Sequence, residues 1–450
     1  MSLTRSAPAP PVRAVHLGLG SFFRAHQAWY TDRASDAGEW GIAAYSGRRP
    51  DLPRALTAQD GLYTLVTRAA DGDRFGVIGS IARAHAGTEH ERWLADLASP
   101  EVRLLTVTVT EAGYRRDPAG RLDTADPEVM ADVAALRVDP RAAVRTAPAR
   151  ILAGLLARRQ ADAGPLALVP CDNLPDNGRA LATVLRDLAE AVGPALGGLL
   201  DAQAAVVTTM VDRITPEPTA ADRAAVLAGT GVDDRCPVAT EPFSEWVLAG
   251  PFPGGRPAWE NAGAVLTDDI APFEERKLWL LNGGHTLLAY AGPLRGAGTV
   301  DEAVADPVCR DWLEQWWDTC TPHLRQPAGE IAAYRAALLD RFANPRMRHA
   351  LAQIAADGSQ KLPVRVLPVL ARERAAGRVP ESATRVLAAW LLYLAAGSVR
   401  DVRASELGAL LDRGPAAAVP RVLAALDPAL GDDAELVAAV RGQLDELRPG

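Results

Sequence analysis

The sequence predicts an α/β N-terminal domain on a doubly wound, mainly parallel sheet, followed by a mainly α-helical C-terminal domain. Three observations carry this expectation. Short apolar runs alternate with amphipathic stretches through the first half, the pattern of strands joined by crossover helices. The first run ends in Gly18-Leu19-Gly20, a tight turn leading into a helix. From about Pro272 onward Ala, Leu and Arg dominate, helical periodicity recurs and β-branched runs become scarce.

Taken in order, Val12 to Gly20 reads as a strand with its turn and the stretch from about Phe23 to Ala37 as an amphipathic helix. Trp40 to Tyr45, Leu104 to Val109 and Leu166 to Val169 read as further buried strands, the last preceded by a helical pattern from Ala149 to Ala163. Another apolar run, Ala204 to Val207, precedes Val211-Asp212-Arg213-Ile214-Thr215-Pro216. Pro and Gly cluster from Gly250 to Gly255, which places a linker between there and Asp269 and divides the chain into residues 1–270 and 271–450. Trp312, Trp316 and Trp317 have the helical spacing of core residues. Between Arg385 and Arg400 lie 14 uncharged residues, short of the roughly 18 that span a bilayer. That stretch reads as a buried helix, and no membrane partner is expected.

Composition narrows the function. With 450 residues, 48% of them hydrophobic, the chain is long enough for two or three domains with real cores. A net charge of -8 and a pI near 5.5 speak against nucleic-acid binding, which usually brings a basic footprint. The N-terminal MSLTRSAPAPPVRA has no apolar core for a secretory signal. Cys171, Cys236, Cys309 and Cys320 form no C-x-x-C pair, so neither a disulfide framework nor a structural zinc site is expected. A cytoplasmic protein acting on a small molecule fits best, as a monomer or a small homo-oligomer.

Two glycines at Gly18 and Gly20 would let the backbone approach a pyrophosphate at a helix start, although the third glycine of the dinucleotide fingerprint is missing. An acidic residue often closes the second strand to hold the adenosine ribose, yet Tyr45 is followed by Ser46, Gly47, Arg48 and Arg49. NAD and NADP both stay open. The arginines suit a 2′-phosphate or simply solvate a loop.

The sharpest chemical signal is Phe273 to His285. At about 100° per residue, Glu274, Lys277, Asn282 and His285 fall within an arc of roughly 120–140° on one helical face. Oxidising an alcohol requires a base for the hydroxyl proton, a role Lys277 can fill, and fixed donors for the developing oxyanion, which the Asn282 amide can supply. His285 can polarise a second substrate oxygen, and Glu274 can relay the proton to solvent. Spacing alone is equally met by a surface Glu–Lys pair on an ordinary helix. Cys171-Asp172-Asn173 and Val211-Asp212-Arg213 both follow predicted strands, where parallel sheets bind ligands. His16 reads as a satisfied core histidine, His26 as helix packing near the nucleotide, and Cys171 as a small buried residue.

Together, Gly18-x-Gly20-x-Phe22-x-Arg24-Ala25-His26, Thr110-Glu111-x-Gly113-Tyr114, Cys171-Asp172-Asn173-x4-Gly178, Val211-Asp212-Arg213-Ile214 and Lys277-x4-Asn282-Gly283-x-His285 resemble the mannitol dehydrogenase family of polyol-specific long-chain dehydrogenases. The matches run in order over about residues 15 to 365. The resemblance implies an NAD(P)-binding Rossmann-type domain over 1–270, a mainly helical substrate domain over 271–450, and a mechanism without metal. By motif position it makes Lys277 the general acid/base, Asn173 and Asn282 the oxyanion hole, Asp212 and His285 substrate contacts, and Glu274 the proton-exchange residue. Gly18, Gly20, Phe22, Arg24, Thr110 and Glu111 become coenzyme-binding candidates.

The stretch Arg348-His349, then Gln353-Ile354-Ala355-Ala356-Asp357-Gly358-Ser359-Gln360-Lys361-Leu362-Pro363-x-Arg365, is similar to the fructuronate reductase branch, which interconverts mannonate and fructuronate. The mannitol branch typically has arginine where Gln353 stands. A uronate adds a carboxylate that wants a cationic partner. Arg365 and Lys361 are the candidates, with Arg348 behind them. The alternatives are a neutral-polyol dehydrogenase acting on mannitol or arabinitol, and a nucleotide-binding sensor without turnover.

Overall fold

The computed structural model describes residues 3–47, 49–397 and 399–447. Arg48, one of the two arginines after the second predicted strand, lies outside them. The chain divides into two compact units, residues 1–271 and 272–450.

Among its described residues the first unit carries twelve strands: β1 (Val12–Leu17), β2 (Gly41–Tyr45), β3 (Tyr63–Ala69), β4 (Gly72–Ile78), β5 (Ile81–His85), β6 (Leu104–Val107), β7 (Leu166–Pro170), β8 (Ala204–Val206), β9 (Thr208–Asp212), β10 (Val238–Thr240), β11 (Glu245–Ala249) and β12 (Val265–Leu266). Six form one sheet in the order β5-β2-β1-β6-β7-β8, with every pairing parallel. Alternate residues of β1 serve opposite faces: Val15 and Leu17 join one core cluster, Ala14 the other. Two smaller sheets, β10-β3-β4 and β12-β11-β9, complete the unit.

Three expectations change here. The helix after β1 is broken into Ser21–Ala25 and Gln27–Arg33, because His26 leaves helical geometry at φ -124° and ψ -90°. The buried His26 imidazole instead bonds the carbonyl of Glu245 at 3.0 Å. The Gly250–Asp269 segment is not a linker but part of the first unit. Trp259 within it is buried against Trp246, centroids 4.4 Å apart, and β12 pairs with β11. Finally, the β3–β4 hairpin escapes a search for apolar runs, since β4 is mostly exposed or half-buried.

The second unit is helical, with no strand among its described residues. Its core gathers Trp316, Trp317, Trp390, Leu287 and Leu288, all fully buried. Trp312 is half-buried under the Arg385 guanidinium, 5.3 Å from the ring centroid. The uncharged stretch after Arg385 is the buried helix Glu381–Ala395. Among the described residues no helix is long and apolar enough to cross a membrane.

Candidate active site

In the first unit, a cavity of about 560 Å³ opens at the carboxyl ends of β1 and β6, where the strand order reverses. Gly18, Gly20, Phe22, Thr110, Glu111 and Asn173 all line it. Gly18 is required by the turn: its φ is +113°, and a Cβ there would overlap the Thr108 carbonyl. The turn is fixed because the N–H groups of Gly18 and Leu19 both donate to the Tyr45 carbonyl at 2.9 Å. The Thr108 hydroxyl donates to the Gly18 carbonyl, also at 2.9 Å. Gly20 differs. A Cβ there meets no protein atom nearer than the Gly18 carbonyl at 3.5 Å, so its absence keeps groove space open. Backbone without side chains at such a strand end suits a dinucleotide pyrophosphate.

Arg24 does not join this wall. It is 2% exposed, and its guanidinium donates to the Cys236 carbonyl at 2.5 Å and the Gly20 carbonyl at 3.2 Å. Its motif position reflects packing: an arginine buried this deeply needs carbonyl acceptors, and the turn and β10's approach provide them. His16 is satisfied in the core, bonding Thr106 at 2.8 Å and Thr108 at 3.1 Å and stacking on Phe23. Burial pushes its imidazole down to about 3. Cys171 is fully buried, which pushes its thiol well up and leaves it inert as a nucleophile.

A pair that sequence reasoning passed over holds the Asn173 loop. The Asp172 carboxylate accepts from the Tyr114 hydroxyl and from the Leu174 N–H at 3.0 Å. Burial, opposed by these hydrogen bonds, pushes the Asp172 carboxyl up to about 6. Arg150 was also missed. Buried at the end of β2, it lies 4.9 Å from the Trp93 ring centroid and donates to the Ser46 carbonyl at 3.3 Å. Asp212 ends β9 as a buried residue, one position beyond Val211 of the cavity wall. The neighbouring Arg213 is structural, donating to the Ala25 carbonyl at 2.6 Å.

In the second unit, Glu274, Lys277, Asn282 and His285 lie on one continuous helical segment, but that segment is not a simple α-helix. Residues Lys277–Asn282 form a π turn between the α-helices Ala271–Arg276 and Gly283–Ala291. The Gly283 N–H reaches five residues back to the Leu278 carbonyl. This corrects the α-helical arc. Five residues of α-helix would put Lys277 and Asn282 about 140° apart, whereas i→i+5 pairing makes them one turn apart on a shared face. Lys277 is 7% exposed.

Two tryptophans hold the π turn from the helix Pro307–Cys320. The Trp316 indole donates to the Trp279 carbonyl at 2.8 Å, and the Trp317 indole to the Leu280 carbonyl at 2.9 Å. Gly283 and Gly284 make this approach possible. A Cβ on Gly283 would stand 2.7 Å from Trp316 Nε1, and one on Gly284 2.8 Å from Leu313.

His285 is buried, stacked on Phe342 at 4.4 Å and edge-on to His349 at 5.5 Å. Its Nε2 is buried without a hydrogen-bond partner among the described residues. Burial first, then the neighbouring His349 and the guanidinium charges of Arg341 and Arg365, hold its imidazole well below the ordinary value. Lys361 and Arg365 share the helix Gly358–Arg365. Lys361 donates to the Ile354 carbonyl at 3.0 Å, and Arg365 to the Thr286 hydroxyl at 3.2 Å, beside His285. Arg348 is not with them. Its side chain is 70% exposed, faces Glu302 at 3.7 Å, and its φ is +42°. Among the described residues no three His, Cys, Asp or Glu side chains cluster as metal ligands.

The comparisons agree with this division. The mannitol dehydrogenase Rossmann domain matches residues 12–261 and the mannitol dehydrogenase C-terminal domain residues 269–447. A D-arabinitol 4-dehydrogenase of Ralstonia nicotianae is 40% identical over 414 residues, 88% of this chain and 86% of that protein. A D-mannonate oxidoreductase of Escherichia coli is 36% identical over 365 residues, covering 79% and 74%. The structure of Pseudomonas fluorescens mannitol 2-dehydrogenase, a ternary complex with NAD and D-mannitol, superposes with a TM-score of 0.84 at 33% identity, covering 99% of this chain and 97% of that one. By sequence over most of its length and by fold, the chain belongs to the mannitol dehydrogenase family of oxidoreductases.

Proposed function

We propose that this protein is an NAD(P)-dependent oxidoreductase that interconverts the alcohol and keto forms of a sugar acid, D-mannonate and D-fructuronate, with Lys277 as general acid/base and without a metal. The observation that carries the sugar-acid reading is the positive field around His285. The cations acting on that imidazole are Arg341 and Arg365, Lys361 acts on the neighbouring His349, and Lys361 and Arg365 share one helix. A carboxylate gains from such a field, whereas a neutral polyol gains little.

NAD(P), whose site would be formed by Gly18, Gly20, Phe22, Thr110 and Glu111, supplies or accepts the hydride. Lys277 takes the hydroxyl proton during oxidation and returns it during reduction. The Asn282 amide, on the face Lys277 shares, donates to the same oxygen as charge develops there. Asn173, on the rim of the coenzyme groove, offers a further amide donor, and Asp212 hydrogen-bonds a substrate hydroxyl. Glu274, three residues before Lys277, passes the proton towards solvent. His285 offers Nε2 to a neighbouring substrate oxygen, and Arg365 and Lys361 hold the carboxylate.

A second reading, a neutral-polyol dehydrogenase, is favoured by the 40% identical D-arabinitol 4-dehydrogenase. An NADH- and NADPH-linked assay over fructuronate, tagaturonate, fructose, xylulose and the corresponding alcohols separates the two. The sugar-acid reading expects turnover of fructuronate or mannonate, with Arg365→Ala raising KM for the acid far more than for any neutral substrate. Turnover confined to neutral polyols, or equal effects of Arg365→Ala on both classes, overturns it.

A further inference from the structure

We propose that His349 is a second substrate-binding imidazole, which with His285 forms a two-point clamp on adjacent oxygens of the sugar. The proposal rests on the reading of the Lys277 segment as the substrate side of a dehydrogenase. It does not depend on whether that sugar is an acid.

The unmet ring atoms and their surroundings support it. Nδ1 of His349 and Nε2 of His285 are both buried without a hydrogen-bond partner among the described residues. Leaving such an atom unmet is costly, and buried polar atoms in native proteins are nearly always met. Two on neighbouring rings mark one place where an outside polar group completes the structure. The rings lie 5.5 Å apart with planes at 82°, so their edges address two atoms rather than one. Phe342 covers a face of the His285 ring, which leaves the ring edge as its polar contact.

The loop that carries His349 is also built for position. The His349 carbonyl accepts from the Val300 N–H at 3.0 Å, and the Leu351 N–H donates to the Gly298 carbonyl at 3.0 Å. Ala350 between them bridges to Thr299. Directly before His349, Arg348 is held at φ +42°, a conformation that L side chains rarely adopt. Backbone strain next to an orphaned imidazole indicates that the ring's placement is worth more than the relaxed loop. Burial and the nearby Lys361 keep the His349 imidazole below its ordinary value. A neutral imidazole offers one donor and one acceptor, the complement of a hydroxyl, and its N–H also suits a carboxylate oxygen.

The test uses the full-length protein with whichever substrate of the panel it turns over best, so a neutral substrate would refute the sugar-acid reading and leave this test intact. His349→Leu should raise KM for the sugar roughly tenfold to hundredfold, the loss of one hydrogen bond to a polar or charged group. KM for the coenzyme should stay within twofold and kcat within threefold. His349→Gln, which keeps a donor and an acceptor, should recover part of the loss. Sugar KM within twofold of wild type in His349→Leu, or equal rises in both KM values, overturns the proposal. Should His349→Leu fail to fold, 15N-histidine spectra of the wild type decide. Saturating sugar, added to the coenzyme complex, should shift the His349 ring resonances, and unchanged resonances overturn the clamp.

Discussion

Replacing Trp316 with Phe removes one indole N–H while keeping an aromatic ring in the core. The Trp279 carbonyl then loses its donor at 2.8 Å inside the π turn. An unmet buried carbonyl costs about 1–3 kcal/mol, and the void left by the smaller ring adds about 1 kcal/mol. Destabilisation of about 2–4 kcal/mol should lower the Tm of the second unit by roughly 5–15 °C. The functional effect is separate from this. If the turn relaxes to α geometry, Asn282 swings by about 100° relative to Lys277, one residue's rotation. A misplaced catalytic group commonly costs about a hundredfold, so kcat at 25 °C should fall by ten- to a hundredfold with KM for the coenzyme unchanged. Calorimetry and steady-state kinetics on the same preparation measure both. A lowered Tm with wild-type kcat would show that the indole only fills space and that the π turn needs no clamp.

Other consequences are as direct. Gly20→Ala should fold with wild-type Tm, because its Cβ meets nothing nearer than 3.5 Å, yet raise Kd for NADH at least tenfold; unchanged Kd by fluorescence titration would remove Gly20 from the coenzyme site. Arg348→Gly should raise Tm by relieving the +42° φ, worth about 1–2 kcal/mol, and leave sugar KM within twofold; a tenfold rise would restore Arg348 to the substrate site. The Asp172 carboxyl titrates at about 6 in the folded protein against 3.8 ordinarily, so the native state holds this proton more tightly than the unfolded chain. Its contribution to stability is therefore full below about pH 4 and lost as pH rises to about 6, on the order of 3 kcal/mol in all. Asp172→Asn lacks this titration, and its Tm relative to wild type should improve by several degrees between pH 4 and 7; a constant difference across that range would refute the assignment.

The sequence exposes the parallel sheet because its strands are buried on both faces. β2 and β7, all five residues buried in each, stand out as continuous apolar runs. The β3–β4 hairpin is hidden because one strand faces solvent and breaks the run; its only local signature is the Ala70-Asp71 turn running into Gly72 at φ +149°. The Gly18 turn is legible for the opposite reason: Gly18 sits where no side chain fits, and a glycine there is visible without any structure. Arg24 was misread because a motif fixes a residue's place in the chain and not the direction of its side chain. Two residues away, Phe22 lines the cavity while Arg24 turns to the Cys236 carbonyl.

The π turn does not show in periodicity, and the two indoles that donate to its carbonyls lie 37 residues downstream. Yet its trace is in the sequence, in Asn282-Gly283-Gly284-His285. Two adjacent glycines inside a helix cost about 1 kcal/mol each in propensity, and here they give Trp316 and Leu313 the space a Cβ would take. The glycines thus belong to the clamp rather than to the candidate site, and the spacing of that site's side chains follows from them. Without close approach there is no indole donor, and without the donors the turn has no reason to hold five residues instead of four. Lys277 and Asn282 would then stand about 140° apart, at the two edges of the arc that five residues of α-helix span. A replacement of Gly283 by Ala should therefore resemble Trp316→Phe in its kinetic signature, although it leaves every polar group of the site in the chain.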